Sequence, residues 1–211
     1  MDKILNITNG DVFNEYLLSK IGGEAVPFRE AMMDGETVLD VYSDAFIELR
    51  SKEHNVSIEE YKSKMLPNDI CEYSQLNLWF GKDTFCQMNL LTLLAYLEQV
   101  RYCGEIWLNY IDDETFEVTK ANINVDLGIY KKLYEDIFVL KSTPDNVGVL
   151  SLSAIELYFD YHSCDGVLAK IVRENATMQE RELICLLLER SKEYGLSDIQ
   201  AEKLIKRVRK E

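Results

Sequence analysis

The sequence predicts an α/β protein, with a mainly parallel Rossmann-like sheet flanked by helices and a smaller C-terminal helical domain. Over residues 1 to about 140, short apolar runs typical of buried strands alternate with helical patterns. From residue 151 onward only helical patterns follow. Residues 141–147, which contain proline, aspartate and asparagine, are typical of a linker. We therefore expect an α/β domain over residues 1–140 and a helical domain over residues 148–211.

The chain opens with a predicted strand, a turn and a helix. Residues 3–8 form a short apolar run that ends at Asn9-Gly10-Asp11. The helical pattern that follows ends at Gly22-Gly23, because glycine is a poor helix former and a common helix terminator. Residues 24–28 predict a second strand, and one or two polar helices are expected between residues 41 and 64.

The strongest strand and helix signals lie in the middle of the chain. Residues 76–80 predict a third strand, and residues 84–102 predict a helix whose leucines cover so much of its circumference that it should be largely buried. Residues 105–111 predict a fourth strand. Apolar and polar residues then alternate over residues 119–125, which indicates a strand with one solvated face at the edge of the sheet.

The C-terminal region carries its own helix signals. Gly195 marks the end of one helix, and Ser197 with Gln200 fits a capping box at the start of the next. Lysines and arginines between residues 203 and 210 give that last helix a basic face. The face could bind nucleic acid or a protein partner, but a solvated helix surface explains it as well.

Charge and composition exclude several classes of protein. The 23 lysines and arginines against 37 acidic residues give a net charge of −14, which opposes binding to nucleic acid or an anionic membrane. No apolar run reaches the ~20 residues of a membrane span, and the N-terminus lacks the pattern of a secretory signal. We therefore expect a cytoplasmic protein with no membrane or nucleic-acid partner. Composition does not predict its oligomeric state.

The sequence identifies no cofactor. It has neither the glycine pattern of dinucleotide-binding folds nor that of a phosphate-binding P-loop. Its two histidines argue against a histidine-rich zinc site, and its five widely spaced cysteines suit reduced thiols. Three consecutive acids, Asp112 to Glu114, could attract a cation, but such a run usually forms a solvated turn. We therefore predict no metal site.

Two short segments are candidates for a functional site. Asn9-Gly10-Asp11 and Gly81-Lys82-Asp83 each follow a predicted strand and precede a predicted helix. Ligands of open α/β sheets bind at such strand ends, where glycine allows close approach and the helix offers free N–H groups. Asp11 and Asp83 are also good helix N-caps, and Thr84 with Gln87 fits a capping box, so capping alone explains the same residues.

Three further side chains could act near these strand ends. Arg29 and Glu30 follow the second strand, so Arg29 could bind a carboxylate or phosphate, and Glu30 could act as a base or accept a hydrogen bond from a sugar hydroxyl. A surface ion pair is the alternative for both. Cys86 lies in the first turn of a predicted helix, where the helix dipole would lower its pKa, and the alternative is a buried structural thiol.

The chain resembles bacterial proteins bearing domain of unknown function 1835. The similarity covers Leu5 to Asp11, Arg29-Glu30 with Asp34-Gly35, and Leu78 to Phe80 with Asp83, Gln87 and Leu90-Leu91. Residues 193–200 resemble the end of the helical domain of unknown function 3658, which often follows it. The resemblance implies no activity. It does imply that Asn9, Asp11, Arg29, Glu30, Asp83 and Gln87 belong to one site.

The chain departs from the family pattern at three positions. Glu30 stands where the family tends to have Asp, Glu36 where it has Pro, and Cys86 where Asp is common. If the family carboxylates are catalytic, this chain could be a binding variant.

Our leading hypothesis is a small-molecule site for a nucleotide or a phosphorylated sugar. We assign ligand binding to Asn9, Gly10, Arg29 and Gln87, and possible catalytic roles to Asp11, Glu30 and Asp83. If the site is catalytic, an ionised Asp11 and a Glu30 with a raised pKa would carry out acid–base or nucleophilic chemistry at a sugar carbon. The alternative is a non-enzymatic interaction or regulatory protein that binds a partner through its C-terminal helices.

Overall fold

A computed structural model describes residues 3–210 and confirms the predicted α/β fold class. Five strands form one sheet in the order β2-β1-β3-β4-β5, in which β1 to β4 are parallel and β5 is antiparallel to β4. The strands are β1 (Ile4–Asn9), β2 (Ala25–Phe28), β3 (Gln75–Phe80), β4 (Glu105–Ile111) and β5 (Val118–Asn124).

Helices cover both faces of the sheet and form the C-terminal region. The helices are α1 (Asp11–Ile21), α2 (Asp44–Glu53), α3 (Ile58–Ser63), α4 (Thr84–Gln99), α5 (Tyr130–Tyr134), α6 (Leu152–His162), α7 (Val167–Glu174), α8 (Glu180–Arg190) and α9 (Asp198–Val208). A π-helical turn at Glu135–Val139 continues α5, and short 3₁₀ turns lie at Ile70–Glu72 and Lys192–Tyr194. None of the helices described has the length and apolar character needed to cross a membrane.

The alternation of β3 shows how the sheet is covered on both faces. Leu76, Leu78 and Phe80 are fully buried in the main core, which also contains the leucines of α4. Trp79 points to the other face and packs with Phe13 of α1 in a second, smaller core. The sheet is therefore the middle layer between α1 and α4, as the α/β pattern predicts.

The main core runs without interruption from the sheet into the C-terminal helices. Tyr161 of α6 donates a hydrogen bond of 2.8 Å to Asp34, and His162 Nε2 lies 3.0 Å from the carbonyl oxygen of Met33. The boundary expected near residues 141–147 falls in an irregular segment between the π-helical turn and α6. The division into two domains at this segment, and their permanent packing against each other, stay predictions.

Strand β5 lies at the sheet edge, where the alternating pattern placed it. Its register with β4 shifts near Tyr110, and the side chain of Asn109 accepts a hydrogen bond of 3.0 Å from the backbone N–H of Asn122. Asn122 has a φ of 55°, so the strand bends locally. Such irregularities discourage pairing with another chain at an exposed edge.

Candidate functional site

The strand order creates a topological switch point between β1 and β3. The chain leaves β1 for β2 on one side and returns to β3 on the other, so a crevice opens at the carboxyl ends of β1 and β3. Two clefts lie there and share Asn9 and Phe85. The first, which we call the β1 cleft, has a volume of about 300 Å³ and walls from β1, α1, β2 and α3. The second, which we call the β3 cleft, has a volume of about 610 Å³ and walls from α4, the β4–β5 turn and residues 188–196.

The β1 cleft contains the N-terminus of α1. Gly10 occupies the N-cap position with a φ of 85°, and no side chain among residues 3–210 caps the helix. The prediction that Asp11 is the N-cap is therefore wrong: Asp11 is the first helical residue, and its carboxylate receives the guanidinium of Arg29 instead. Arg29 Nε lies 2.9 and 3.1 Å from the two carboxylate oxygens, and Nη2 lies 2.7 Å from Oδ1. A Cβ on Gly10 would meet no atom of the described part of the chain within 4 Å outside its two neighbours, so the space above it is open.

Glu30 lines the β1 cleft but is tied to protein partners. Its carboxylate accepts hydrogen bonds from Arg50 Nε at 3.1 Å and from the hydroxyl of Tyr61, and His54 Nε2 lies at 3.4 Å. Burial and the Glu30 carboxylate raise the pKa of Tyr61. The surface pair of Arg29 with Glu30 does not form, because each finds another partner: Arg29 pairs with Asp11, and Glu30 with the buried Arg50.

Asn89 connects the two clefts through its buried amide. Its Nδ2 donates to Asn9 Oδ1 at 2.9 Å and to the Glu30 carbonyl at 2.6 Å, and its Oδ1 accepts from the Met32 N–H at 3.0 Å. These bonds fix the orientation of the Asn9 amide. Asn9 Nδ2 consequently faces Cys86 and donates to its sulfur at 2.8 Å.

The β3 cleft brings together Asp83, Cys86 and Asp113. Asp83 caps α4 as predicted, since its Oδ1 accepts from the Cys86 N–H at 3.0 Å. Partial desolvation at the cleft wall and the neighbouring Asp83 raise the pKa of Asp113, an exposed residue, to about 7. Burial also raises the pKa of Cys86, and the two carboxylates add to the effect. The lowering expected from the helix dipole is therefore overridden.

Gln87 is the one predicted site residue that lines neither cleft. Its Nε2 donates to the Gly81 carbonyl at 2.8 Å, and its Oε1 accepts from the Ser151 N–H at 3.1 Å. The predicted capping box with Thr84 does not form because Asp83, not Thr84, is the N-cap of α4, and the Gln87 amide is used in these longer-range bonds. Of the other predicted residues, the β1 cleft collects Asn9, Gly10, Asp11, Arg29 and Glu30, while Asp83 lies in the β3 cleft.

Several residues of these clefts were not among the predicted site residues. Asp113 follows the end of β4, so the strand-end argument used for Asp11 and Asp83 could have found it. Ser191 reaches the β3 cleft from the C-terminal region, and Lys64 reaches the β1 cleft from the end of α3. No local pattern in the sequence marks either of them.

The basic residues of α9 are largely engaged within the protein. Arg207 donates to the Tyr161 carbonyl, and its Cζ lies 4.9 Å from the centre of the Tyr161 ring. Lys206 pairs with Glu202.

Comparisons with protein-family models, with curated proteins and with solved structures found no match to this chain.

Proposed function

We propose that the chain binds a nucleotide or a phosphorylated sugar in the β1 cleft. The supporting observation is the N-terminus of α1, which has no side-chain cap and opens into this cleft beside Arg29. Free N–H groups and the helix dipole favour a phosphate at such a position. The cleft volume, about 300 Å³, is at the lower end of the range for small-molecule sites.

The walls of the β1 cleft suit the two parts of such a ligand. Lys64 provides positive charge for the phosphate, and Arg29 does so when the phosphate replaces its partner Asp11, whose pair with Arg29 is partly exposed. Phe85 and Met65 offer apolar surface for a base or sugar ring. The pair of Lys64 with Glu60 joins neighbouring turns of helix and is exposed, so a phosphate can replace it at little cost. The catalytic roles of Asp11, Glu30 and Asp83, the cytoplasmic location and the kinship with domain of unknown function 1835 stay predictions.

A thermal-shift panel of nucleotides and sugar phosphates tests this function. A ligand at 100 times its Kd should add about 2.7 kcal/mol to the free energy of unfolding. Arg29→Gln and Lys64→Gln should each weaken binding about tenfold or more. Lys52→Gln is the matched control for Lys64→Gln. Lys52 also forms an exposed ion pair with a glutamate four residues earlier, Glu48, but it lines neither cleft.

Two results would count against the proposal. One is the absence of any shift across the panel. The other is a ligand-induced thermal shift that is as large in Arg29→Gln and Lys64→Gln as it is in Lys52→Gln. Either result would favour the interaction-protein alternative.

A further inference from the structure

Three potential metal ligands converge in the β3 cleft from three separate segments. Asp83 precedes α4, Cys86 lies in its first turn, and Asp113 follows β4. One carboxylate oxygen of each aspartate and the Cys86 sulfur all lie within 4.8 Å of one another. The sulfur is 3.7 Å from Asp113 Oδ2. Ligands at the usual distances around tetrahedral Zn²⁺ are about 3.5 Å apart, so a small adjustment would bring the three onto one ion.

Glycines on either side leave room for the two carboxylates to lie close together. A Cβ on Gly81 would lie 2.1 Å from Asp113 Oδ2 and 2.7 Å from Asp83 Oδ2, and one on Gly195 would lie 2.0 Å from Asp83 Oδ1. A side chain at either position would displace these carboxylates. The fold therefore makes room for two like charges to approach each other, an arrangement that a bound cation would stabilise.

Among the ion pairs of the described residues, none joins Lys82 or Lys192 to these carboxylates. Lys82 Nζ lies 5.5 Å from the centre of the Tyr110 ring, and Lys192 Nζ pairs with Glu114 at 3.4 Å. Asp112 is also committed elsewhere, because its Oδ1 accepts from the N–H of Thr115 at 2.8 Å and closes its own turn. The predicted run of three acids is thus divided, and only Asp113 joins the cluster.

A second and independent observation points to a ligand in the same cleft. Ser191 lines the β3 cleft and is only 1% exposed, yet its hydroxyl has no hydrogen-bond partner among the described residues. Buried hydroxyls in native proteins are nearly always paired. After a small shift of the Ser191 side chain toward the cleft, a water held on a metal ion there would supply the missing partner.

The surroundings of the sulfur suit a metal-bound thiolate. Asn9 Nδ2 donates to Cys86 Sγ, and Asn89 fixes the orientation of that amide. Donors of this kind orient metal ligands and stabilise their charge. A thiolate also favours Zn²⁺ over Mg²⁺, which prefers an all-oxygen shell.

We propose that Asp83, Cys86 and Asp113 form a site for a divalent transition-metal ion of the Zn²⁺ type, with a fourth coordination position open to the cleft. Ion binding would displace the thiol proton into solvent, and no electron transfer is involved. The proposal does not depend on the ligand of the β1 cleft, so the metal alone can test it.

The experiment uses the full chain, stripped with a chelator and titrated with Zn²⁺ by calorimetry and with Co²⁺ by absorbance. The starting protein has Cys71, Cys103, Cys164 and Cys185 changed to serine, because these exposed thiols could bind metal adventitiously. We expect one ion per chain, a thiolate-to-cobalt charge-transfer band, and much weaker binding of Mg²⁺. Cys86→Ser should abolish the band, and Asp113→Asn should weaken Zn²⁺ binding at least tenfold. Asp112→Asn, the matched control, should retain the affinity.

Three outcomes would overturn the proposal. They are the absence of both Zn²⁺ uptake and the cobalt band, equal affinity in Asp113→Asn and Asp112→Asn, and a cobalt band that survives Cys86→Ser. Zn²⁺ uptake and the cobalt band are first measured on the protein with Asp83, Cys86 and Asp113 intact, so their absence overturns the proposal even if a cluster variant fails to fold. None of these results bears on phosphate-ligand binding in the β1 cleft.

Discussion

The buried pair of Glu30 and Arg50 should contribute strongly to stability, and Glu30→Gln measures that contribution. The two side chains are only 2% and 1% exposed, and they meet at 3.1 Å. Arg50 also donates to the carbonyl oxygens of Ala31, Asp34 and Glu36, at 3.0, 2.9 and 3.4 Å. The pair therefore fixes the segment that follows Arg29 at the edge of the β1 cleft.

The expected magnitude follows from these contacts. Glutamine has the shape of glutamate and can still accept from Tyr61, but it leaves a buried guanidinium with neutral acceptors only. Breaking one side of a buried ion pair costs about 3–5 kcal/mol. Because the three carbonyl bonds remain, we expect the lower end, about 3 kcal/mol. Arg50→Met should cost more, and the double variant Glu30→Gln/Arg50→Met should cost less than the sum of the two.

Urea unfolding followed by far-UV circular dichroism gives the measurement. Glu30→Gln should lower the midpoint without changing the slope. Glu48→Gln is the control, because it removes the charge from an exposed pair with Lys52 and should leave the midpoint unchanged. Equal midpoints for Glu30→Gln and Glu48→Gln would refute the reasoning. The same proteins would show whether Glu30 acts in ligand binding or only in folding.

Three further predictions test the buried polar groups that surround the sheet. Burial, with the charges of Arg207 and Lys141, lowers the pKa of His162 to about 4 from the usual 6.5. The unfolded chain therefore binds this proton first, and about 3 kcal/mol of stability that is present above pH 6.5 should be lost as the pH falls to about 4. Urea midpoints over that pH range should depend less on pH in His162→Gln, and an unchanged profile would contradict the assignment. Gln87→Leu leaves the Ser151 N–H and the Gly81 carbonyl without this partner, so its thermal midpoint should fall by an amount equivalent to about 2 kcal/mol. An unchanged midpoint would show that the contact between α4 and the start of α6 is unimportant for stability. Asn89→Ala removes the three hydrogen bonds of a buried amide and should cost about 3 kcal/mol in urea unfolding, whereas a loss below about 1 kcal/mol would mean that water replaces the amide.

The sheet was predictable because its strands have local signals. The apolar runs at β1, β3 and β4 are short and end at polar turns, and the alternation at β5 marks an edge. The helix starts were less predictable. Aspartate favours the N-cap, and at α4 it takes that position, but at α1 Gly10 takes it because the chain there needs a positive φ. Propensity alone does not distinguish these two cases.

The partners of the charged side chains could not be predicted from spacing. Glu30 and Arg50 are 20 residues apart, and the nearer Arg29 was the natural partner to propose. The choice depends on which pair the fold buries, because a buried carboxylate needs a cation and several donors while an exposed one can be satisfied by water. That information resides in the packing of α2 and α3 against the β1 cleft.

The β3 cleft shows how a local rule and long-range packing combine at one place. Strand ends supply Asn9, Asp83 and Asp113, since parallel strands deliver their carboxyl ends to the same edge. The C-terminal region supplies the remaining wall: Gly195 packs against Asp83, and the Thr84 hydroxyl donates to the carbonyl of residue 193 at 3.2 Å. A fragment of residues 1–140 would keep all three strand-end side chains but lose this wall. We therefore expect the helical region to be needed for the chemistry of the cleft as well as for the stability of the core.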